Sequence, residues 1–311
     1  MNTVVIGSGG IAQKAYFPLL ATMPSIRIIG IHSHTRQNME KALQQWHFPF
    51  GTTNIDEIIS LKPQTAIVIS STASHFDICK KLLENEIDVY AEKSLTTTSQ
   101  ESFDLYQIAA QHERILAVGF NRRYALLNKQ AKQILEDRKI HSALIQKHRA
   151  EASYTTLAQQ FLDDTIHQID LMRFFCGEVT PLQTTYAMEN NMVVTNTSTS
   201  LTIPGGGIGT LLTSGCAGAW QESVTIHASG ITVHVDAFRK LQVIEDDRET
   251  VYGLDRAGKW ITAMKERGFL GELEHFFNCV QTRMEPQTNA KEAAKTLQLM
   301  EAMLDQKIDI S

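Results

Sequence analysis

The chain has 311 residues, 43% hydrophobic and 20% charged, which supplies a substantial core and more length than one ordinary domain uses. A formal net charge of -5, a pI near 6.1 and the lack of a dense Lys/Arg cluster remove the electrostatic case for a nucleic-acid partner. No window is apolar enough for a membrane span, no basic leader precedes a long apolar stretch, and Cys79, Cys176, Cys216 and Cys279 are widely spaced in apolar surroundings. The expectation is a cytoplasmic protein with core cysteines, no disulfides and no membrane partner.

The first element is the β-branched run Val4, Val5, Ile6, suited to a buried parallel strand; it breaks at Gly7, Gly9 and Gly10, and a helix follows with Ile11, Ala15 and Leu19 on one face. Gly7 permits a tight turn, Gly9 lets backbone amides approach a pyrophosphate at the helix N-terminus, and Ala12 occupies the small third position of G-x-G-x-x-G/A. A second strand at 26 to 31 leads into HSHTRQ, where an NAD-specific fold usually carries an acid. Ser33, His34 and Arg36 stand there instead, which favours NADP over NAD because a hydroxyl and a guanidinium accommodate a 2'-phosphate that an acid would repel.

Helix and strand then alternate: a helix in TRQNMEKALQQW, a strand at 65 to 70, a helix at 76 to 85, a strand at 88 to 91, a helix opened by the capping box Thr98 and Glu101, and a strand at 115 to 120. This is the βαβ pattern of a doubly wound parallel sheet, whose ligands bind beyond the carboxyl ends of the strands. Three polar segments follow strand ends: SSTASH with Ser71, Thr72 and His75, AEKS with Glu92 and Lys93, and NRRY with Asn121 and Arg122. Singly each reads as a helix cap or a solvated loop; with the glycine turn they read as a cofactor cleft. The full cofactor set expected is Gly7, Gly9, Gly10, Ile11, Ser33, His34, Arg36, Ser71, Thr72, His75, Glu92, Lys93, Asn121 and Arg122.

From about residue 122 the pattern changes. A helix in LLNKQAKQILED leads to a strand in SALIQKHRA, and from about 181 to 254 strands follow one another without intervening helices, which predicts an open mixed or antiparallel sheet in an α+β domain. The division expected is 1–121 and 122–311. Two helices close the chain, one with Leu270, Leu273, Phe277 and Val280 on a face, the other with Ala293, Leu297, Met300 and Leu304. Between them and the first half, FLDDTIHQIDLMRFF reads as a helix that puts Asp163, His167 and Asp170 on one face at i, i+4 and i+7. An Asp one turn before a His can fix its tautomer for proton transfer; a plain surface hydrogen bond and a metal site of two carboxylates and one His are the alternatives.

With IGSGGIAQKA, AEKS, GFNRRY and DDTIHQIDLMRFF in this order, the chain resembles the Gfo/Idh/MocA oxidoreductase family nearly end to end, most closely its MviM-like branch. The resemblance implies an N-terminal Rossmann domain, a C-terminal open-sheet domain that presents the substrate, and a homodimer or homotetramer built by that sheet. It implies NAD or NADP and a sugar, polyol or related small molecule, with no metal. The family's catalytic lysine falls on Lys93 and its D-x-x-x-H on Asp163 and His167, although Ser94 stands where the family usually has Pro and TTLAQQFLDD lacks the family's glycines. On this reading His167 takes the proton of a secondary alcohol, Asp163 orients His167, and Lys93 stabilises charge on the oxygen. A Lys has an ordinary pKa of about 10.4, which desolvation and a nearby oxidised nicotinamide would lower. A non-catalytic dinucleotide-binding regulator and a redox-assisted glycoside cleavage with retained NAD are the alternatives that the resemblance leaves open.

Overall fold

A computed structural model describes residues 1–190, 192–253 and 263–311 of the chain. They fall into two units, one of Met1–Phe120 with Phe269–Lys295 and one of Asn121–Gly268 with Thr296–Ser311. The first is built on six parallel strands in the order β3-β2-β1-β4-β5-β6: β1 (Asn2–Ile6), β2 (Arg27–His32), β3 (Gly51–Thr52), β4 (Thr65–Val68), β5 (Asp88–Glu92) and β6 (Leu116–Gly119). Val4, Val5, Ile6, Ile67, Val68 and Val89 are wholly buried, as continuous apolar strands covered on both faces should be. The strand order reverses between β1 and β4, which opens a crevice at their carboxyl ends. The two-residue β3 is too short to leave a periodic signal. The expected capping box is half present: Thr98 Oγ1 accepts from the Glu101 amide, while Glu101 Oε2 accepts from Thr97 N and Oγ1 and not from Thr98.

The division at 121 and 122 needs a correction, because the chain returns to the first unit at Phe269–Lys295. The cause is the buried face of the helix Phe269–Thr282. It consists of Phe269, Glu272, Leu273, Phe276, Phe277 and Cys279, whereas Leu270 and Val280 are half-buried. Phe269 lies edge-on to Tyr16 at 5.7 Å, Phe276 meets Tyr90 at 5.8 Å, and the Val118 amide donates to Thr288 O at 2.7 Å beside an antiparallel bridge between Ala117 and Asn289. Packing of that face on the parallel sheet overrides chain order.

The second unit is a nine-stranded mixed sheet in the order β14-β13-β12-β11-β7-β10-β9-β8-β15. Its strands are β7 (Ile140–His148), β8 (Thr180–Glu189), β9 (Val193–Ile203), β10 (Gly207–Ser214), β11 (Gln221–Ala228), β12 (Ile231–Asp236), β13 (Lys240–Glu245), β14 (Arg248–Gly253) and β15 (Lys307–Asp309). All neighbours are antiparallel except β7 with β10 and β8 with β15. Strict alternation in β12, with Ile231, Val233 and Val235 buried, marks a sheet with one core face. Residue 254, the last of the expected β-rich stretch, lies outside the described residues. Cys79, Cys176 and Cys279 are buried, but Cys216 is exposed, because it falls on the connection after β10 and not in a strand. Among the described residues no helix is long and apolar enough to cross a membrane.

Candidate active site

The glycine turn follows β1 as expected. Gly7 has φ +107°, and a Cβ there would lie 2.5 Å from Ile69 O, so the crossing of β1 past the end of β4 requires glycine. Gly9 is different: a Cβ on it would meet no protein atom within 4 Å. The space before Gly9 belongs to a cavity of about 540 Å³ lined by Gly7, Ser8, Gly9, Ile11, His32, Ser33, His34, Asn38, Ile69, Ser70, Ser71, Ser74 and Ile78. Open backbone amides at a helix start, beside a cleft that mixes serine hydroxyls with Ile11, Ile69 and Ile78 at the switch point of a parallel sheet, fit a pyrophosphate and the two ribosides it joins.

Of the expected cofactor residues, Gly7, Gly9, Ile11, Ser33, His34 and Ser71 line this cavity. Gly10 starts the helix behind them. Ser33 is 4% exposed and shares a 2.8 Å hydrogen bond with Ser8, while Arg36 donates to Glu40 at 2.7 Å with its side chain 84% exposed, an i,i+4 pair on the helix surface. The arginine expected to read a 2'-phosphate is thus engaged along its own helix, and Asn38 stands at the cavity instead. Thr72 opens the helix Thr72–Glu84. His75 is buried, its ring nitrogens 3.0 Å from Ser94 O and from Ser70 O, so it joins the cavity loop to the residue after Lys93. Burial pushes its pKa down against the pull of those carbonyls. Ser8, His32, Asn38 and Ile78 escaped the sequence reading: Ser8 and His32 are the unspecified positions of the glycine turn and of HSHTRQ, Asn38 lies just past that segment, and Ile78 was findable only as one turn beyond Ser74 on the same helix.

Lys93 follows β5 directly and is half-buried, and its peptide bond to Ser94 is cis. Glu92 is not a surface charge. Its Oε1 accepts a 2.8 Å hydrogen bond from Tyr16 inside the first unit. Beyond Lys93, Ser94, Leu95 and Thr96 are buried and only then does the chain reach solvent, so the lysine stands on a rigid strand end.

Asn121 and Arg122 lie in the second unit. Asn121 Nδ2 donates to Arg267 O at 2.9 Å, and Arg122 is buried in a two-pronged bond to Glu222 at 2.9 and 2.8 Å, so both side chains are committed to that unit's interior. The helix bearing His167 is not uniform. It runs as Leu157–Gln160, widens into a π-turn at Phe161–Thr165 and resumes at Ile166–Cys176. The wide turn changes the angular step between Asp163 and the residues after it, so the three expected residues do not share one environment: Asp163 is exposed, His167 is buried and 8% exposed, and Asp170 is fully buried. Asp170 takes both prongs of Arg123 at 2.8 and 2.7 Å and a bond from Thr296, which makes it a structural anchor and removes it from a metal site.

Beside this helix a buried ionic array links β7, β11 and the π-turn: Lys147 reaches Asp164 at 2.7 Å and Glu222 at 3.7 Å, Arg149 also pairs with Asp164, and Arg122 holds Glu222. Burial works to raise the pKa of both acids. The charge of Arg122 outweighs it at Glu222, and the bonds from Arg149 and Lys147 outweigh it at Asp164, so both acids sit below their ordinary range. Folded-state values below the unfolded ones mean stability that is complete above the ordinary carboxylate range and is lost as pH falls through the folded values. Denaturant melts are expected to show a steep loss of stability on acidification below about pH 4. In Asp164→Asn that acid dependence should be shallower; an unchanged pH slope would contradict the assignment.

The model of the oxidoreductase family with an NAD-binding Rossmann fold, GFO_IDH_MocA, matches residues 1–120. The Salmonella typhimurium protein named as oxidoreductase YceM is 28% identical over 96% of this chain and 95% of its own. Residues 1–120 thus match the NAD-binding Rossmann fold of the Gfo/Idh/MocA oxidoreductases, and the likeness to an oxidoreductase of similar length runs nearly end to end. The crystal structure of a dehydrogenase, MviM, from Clostridium difficile superimposes with a TM-score of 0.89 at 25% identity, covering 98% of this chain and 99% of that one, in line with an MviM-like Gfo/Idh/MocA protein. Inositol 2-dehydrogenase of Arthrobacter sp. is 29% identical over 57% of this chain and 55% of its own. A 3-ketoreductase from Actinomadura kijaniata, solved with NADP and TDP-benzene, shares the fold at 16% identity with a TM-score of 0.84 over the whole chain.

Proposed function

We propose that this oxidoreductase transfers a hydride between a nicotinamide cofactor and a secondary alcohol or ketone of a sugar, polyol or related small molecule. The observation that carries the reading is the open cradle at Gly9, continuous with a cavity bearing serine hydroxyls at the switch point of the parallel sheet, on the unit whose strand β5 leads directly into Lys93. Amides of the Gly7 to Gly9 turn would hold the pyrophosphate, Ser33 and His34 the adenosine ribose, and the loop at 69 to 74 the other half. The dinucleotide supplies the hydride acceptor or donor. Lys93 would hydrogen-bond the reacting oxygen and stabilise its developing charge, His167 would accept the hydroxyl proton in oxidation and return it in reduction, and Asp163 would orient His167. The inositol dehydrogenase among the similar proteins supports a polyol-like substrate.

The adenosine end favours NADP. Ser8, Ser33, His34 and Asn38 line it, with no acid among them to repel a 2'-phosphate. Titrating NADPH and NADH into the purified protein, followed by a polyol and sugar screen with the dinucleotide that binds, tests the whole reading; failure of both to bind would end it. Ser33→Asp is expected to move the preference toward NAD by about tenfold or more, a change of about 1.4 kcal/mol. An unmoved ratio would show that Ser33 does not read the phosphate.

A further inference from the structure

Four oxygen-bearing side chains meet inside the first unit, behind the strand that ends at Lys93. The Tyr16 hydroxyl lies 2.8 Å from the Tyr90 hydroxyl, 2.8 Å from Glu92 Oε1 and 3.3 Å from Glu272 Oε1. Tyr90 is also bonded to Glu272. Tyr16 and Tyr90 are at most 1% exposed, Glu272 2% and Glu92 8%. The space is made for them: a Cβ on Gly119 would stand 2.6 Å from the Tyr90 hydroxyl.

The protons do not add up if both glutamates are ionised. Each close oxygen–oxygen approach needs one proton, and two phenols bring two protons to four approaches. An approach without a proton sets lone pair against lone pair where water cannot intervene. Two carboxylates around one hydroxyl also repel, and two carboxyls that share a site ordinarily keep one proton between them. A third proton, on Glu272, completes a chain from Glu272 through Tyr90 and Tyr16 to Glu92, leaves only the long 3.3 Å approach of Tyr16 to Glu272 without a proton, and removes one of the two carboxylate charges.

We propose that Glu272 is a neutral carboxylic acid and Glu92 the carboxylate, so that the Tyr16, Tyr90, Glu92 and Glu272 array carries a single negative charge. Glu92 takes the shorter phenol bond, as a charged acceptor does, and Glu272 is the more deeply buried of the two. Burial first, and then the charge on Glu92, pushes both phenols well above their ordinary value, so the phenolic protons stay in place.

The array ties together the helix after the glycine turn through Tyr16, the end of β5 through Tyr90 and Glu92, and the helix Phe269–Thr282 through Glu272. Tyr16 and Glu272 are therefore positioning residues for the glycine turn and Lys93, a role that rests on the function proposed above. Loss of the shared proton at alkaline pH puts two charges against Tyr16 and loosens this tie.

Infrared spectra of the full-length protein carrying ¹³C-carboxyl glutamate test the charge state without any activity. The expected result is a protonated-carboxyl C=O band that persists at neutral pH, disappears at high pH while the fold is retained, and is lost in Glu272→Gln but kept in the exposed control Glu40→Gln. Wild type alone decides if Glu272→Gln fails to fold: no such band at neutral pH overturns the proposal. Persistence of the band in folded Glu272→Gln overturns the assignment to Glu272. NADPH titrations across pH then test the positioning role. Wild type should bind more weakly at alkaline pH, and Glu272→Gln, which cannot ionise, should lose that weakening; an identical alkaline limb in both refutes the role. If no dinucleotide binds at any pH, the proposed function falls while the infrared result still stands or fails by itself.

Discussion

Lys93→Ala is expected to lower kcat by about 10²–10⁴-fold on a true substrate, the range associated with removing a positioned proton-transfer or charge-stabilising group. Lys93 is only half-buried, so its truncation opens no core cavity, and both the melting temperature and the dinucleotide affinity should stay close to those of the parent. Lys93→Arg sharpens the test, since it keeps a cation that cannot give up a proton. If Arg restores much of the rate, charge stabilisation dominates; if it does not, the proton or the compact ammonium geometry is required. A Lys93→Ala enzyme within about tenfold of the parent in kcat would remove Lys93 from the reaction.

Gly7→Ala is expected to destabilise the first unit and abolish dinucleotide binding together. A Cβ at Gly7 would lie 2.5 Å from Ile69 O and 2.7 Å from Ser70 N, and φ +107° is a conformation that alone costs a residue with a side chain about 1–3 kcal/mol. Neither obstacle can be relieved by a rotamer change, because the clashing atoms are backbone. Gly9→Ala provides the contrast. Its new methyl meets no protein atom within 4 Å, so denaturant midpoints should not move, while binding should fall because the methyl occupies the approach to the amides. Parent-like stability in Gly7→Ala, or parent-like binding in Gly9→Ala, would contradict the cradle.

Local chemistry was legible in the sequence wherever one short segment carried the whole signal. The β-branched run before Gly7, the alternating helices and strands, and the strand that delivers Lys93 needed nothing from elsewhere in the chain. Contacts between distant segments were not legible. Glu272 reads as a polar position on an amphipathic helix, and only the fold brings it to Tyr16; Arg122 reads as part of a cofactor cleft, and only the fold brings Glu222 within its reach. The π-turn at Phe161–Thr165 was hidden for another reason: its apolar spacing fits an ordinary helix well enough that one widened turn leaves no trace in the periodicity. Arg36 shows the limit of reading side chains one at a time, because Glu40, four residues on, had the stronger claim on it.

The return of Phe269–Lys295 to the first unit bears on how the protein is made. The parallel sheet emerges from the ribosome early, but the helix that covers Tyr16 and Tyr90 and the segment that bonds to β6 at Val118 come only after most of the second unit. At about 5–20 residues per second, roughly ten to thirty seconds separate the two. During that interval the nascent sheet exposes an apolar face and an unpaired strand edge, the kind of surface that chaperones hold and that neighbouring chains can mispair with. A fragment cut at residue 120 would freeze the protein in that state, so the N-terminal domain begins folding first and is completed only when the second unit has largely been translated.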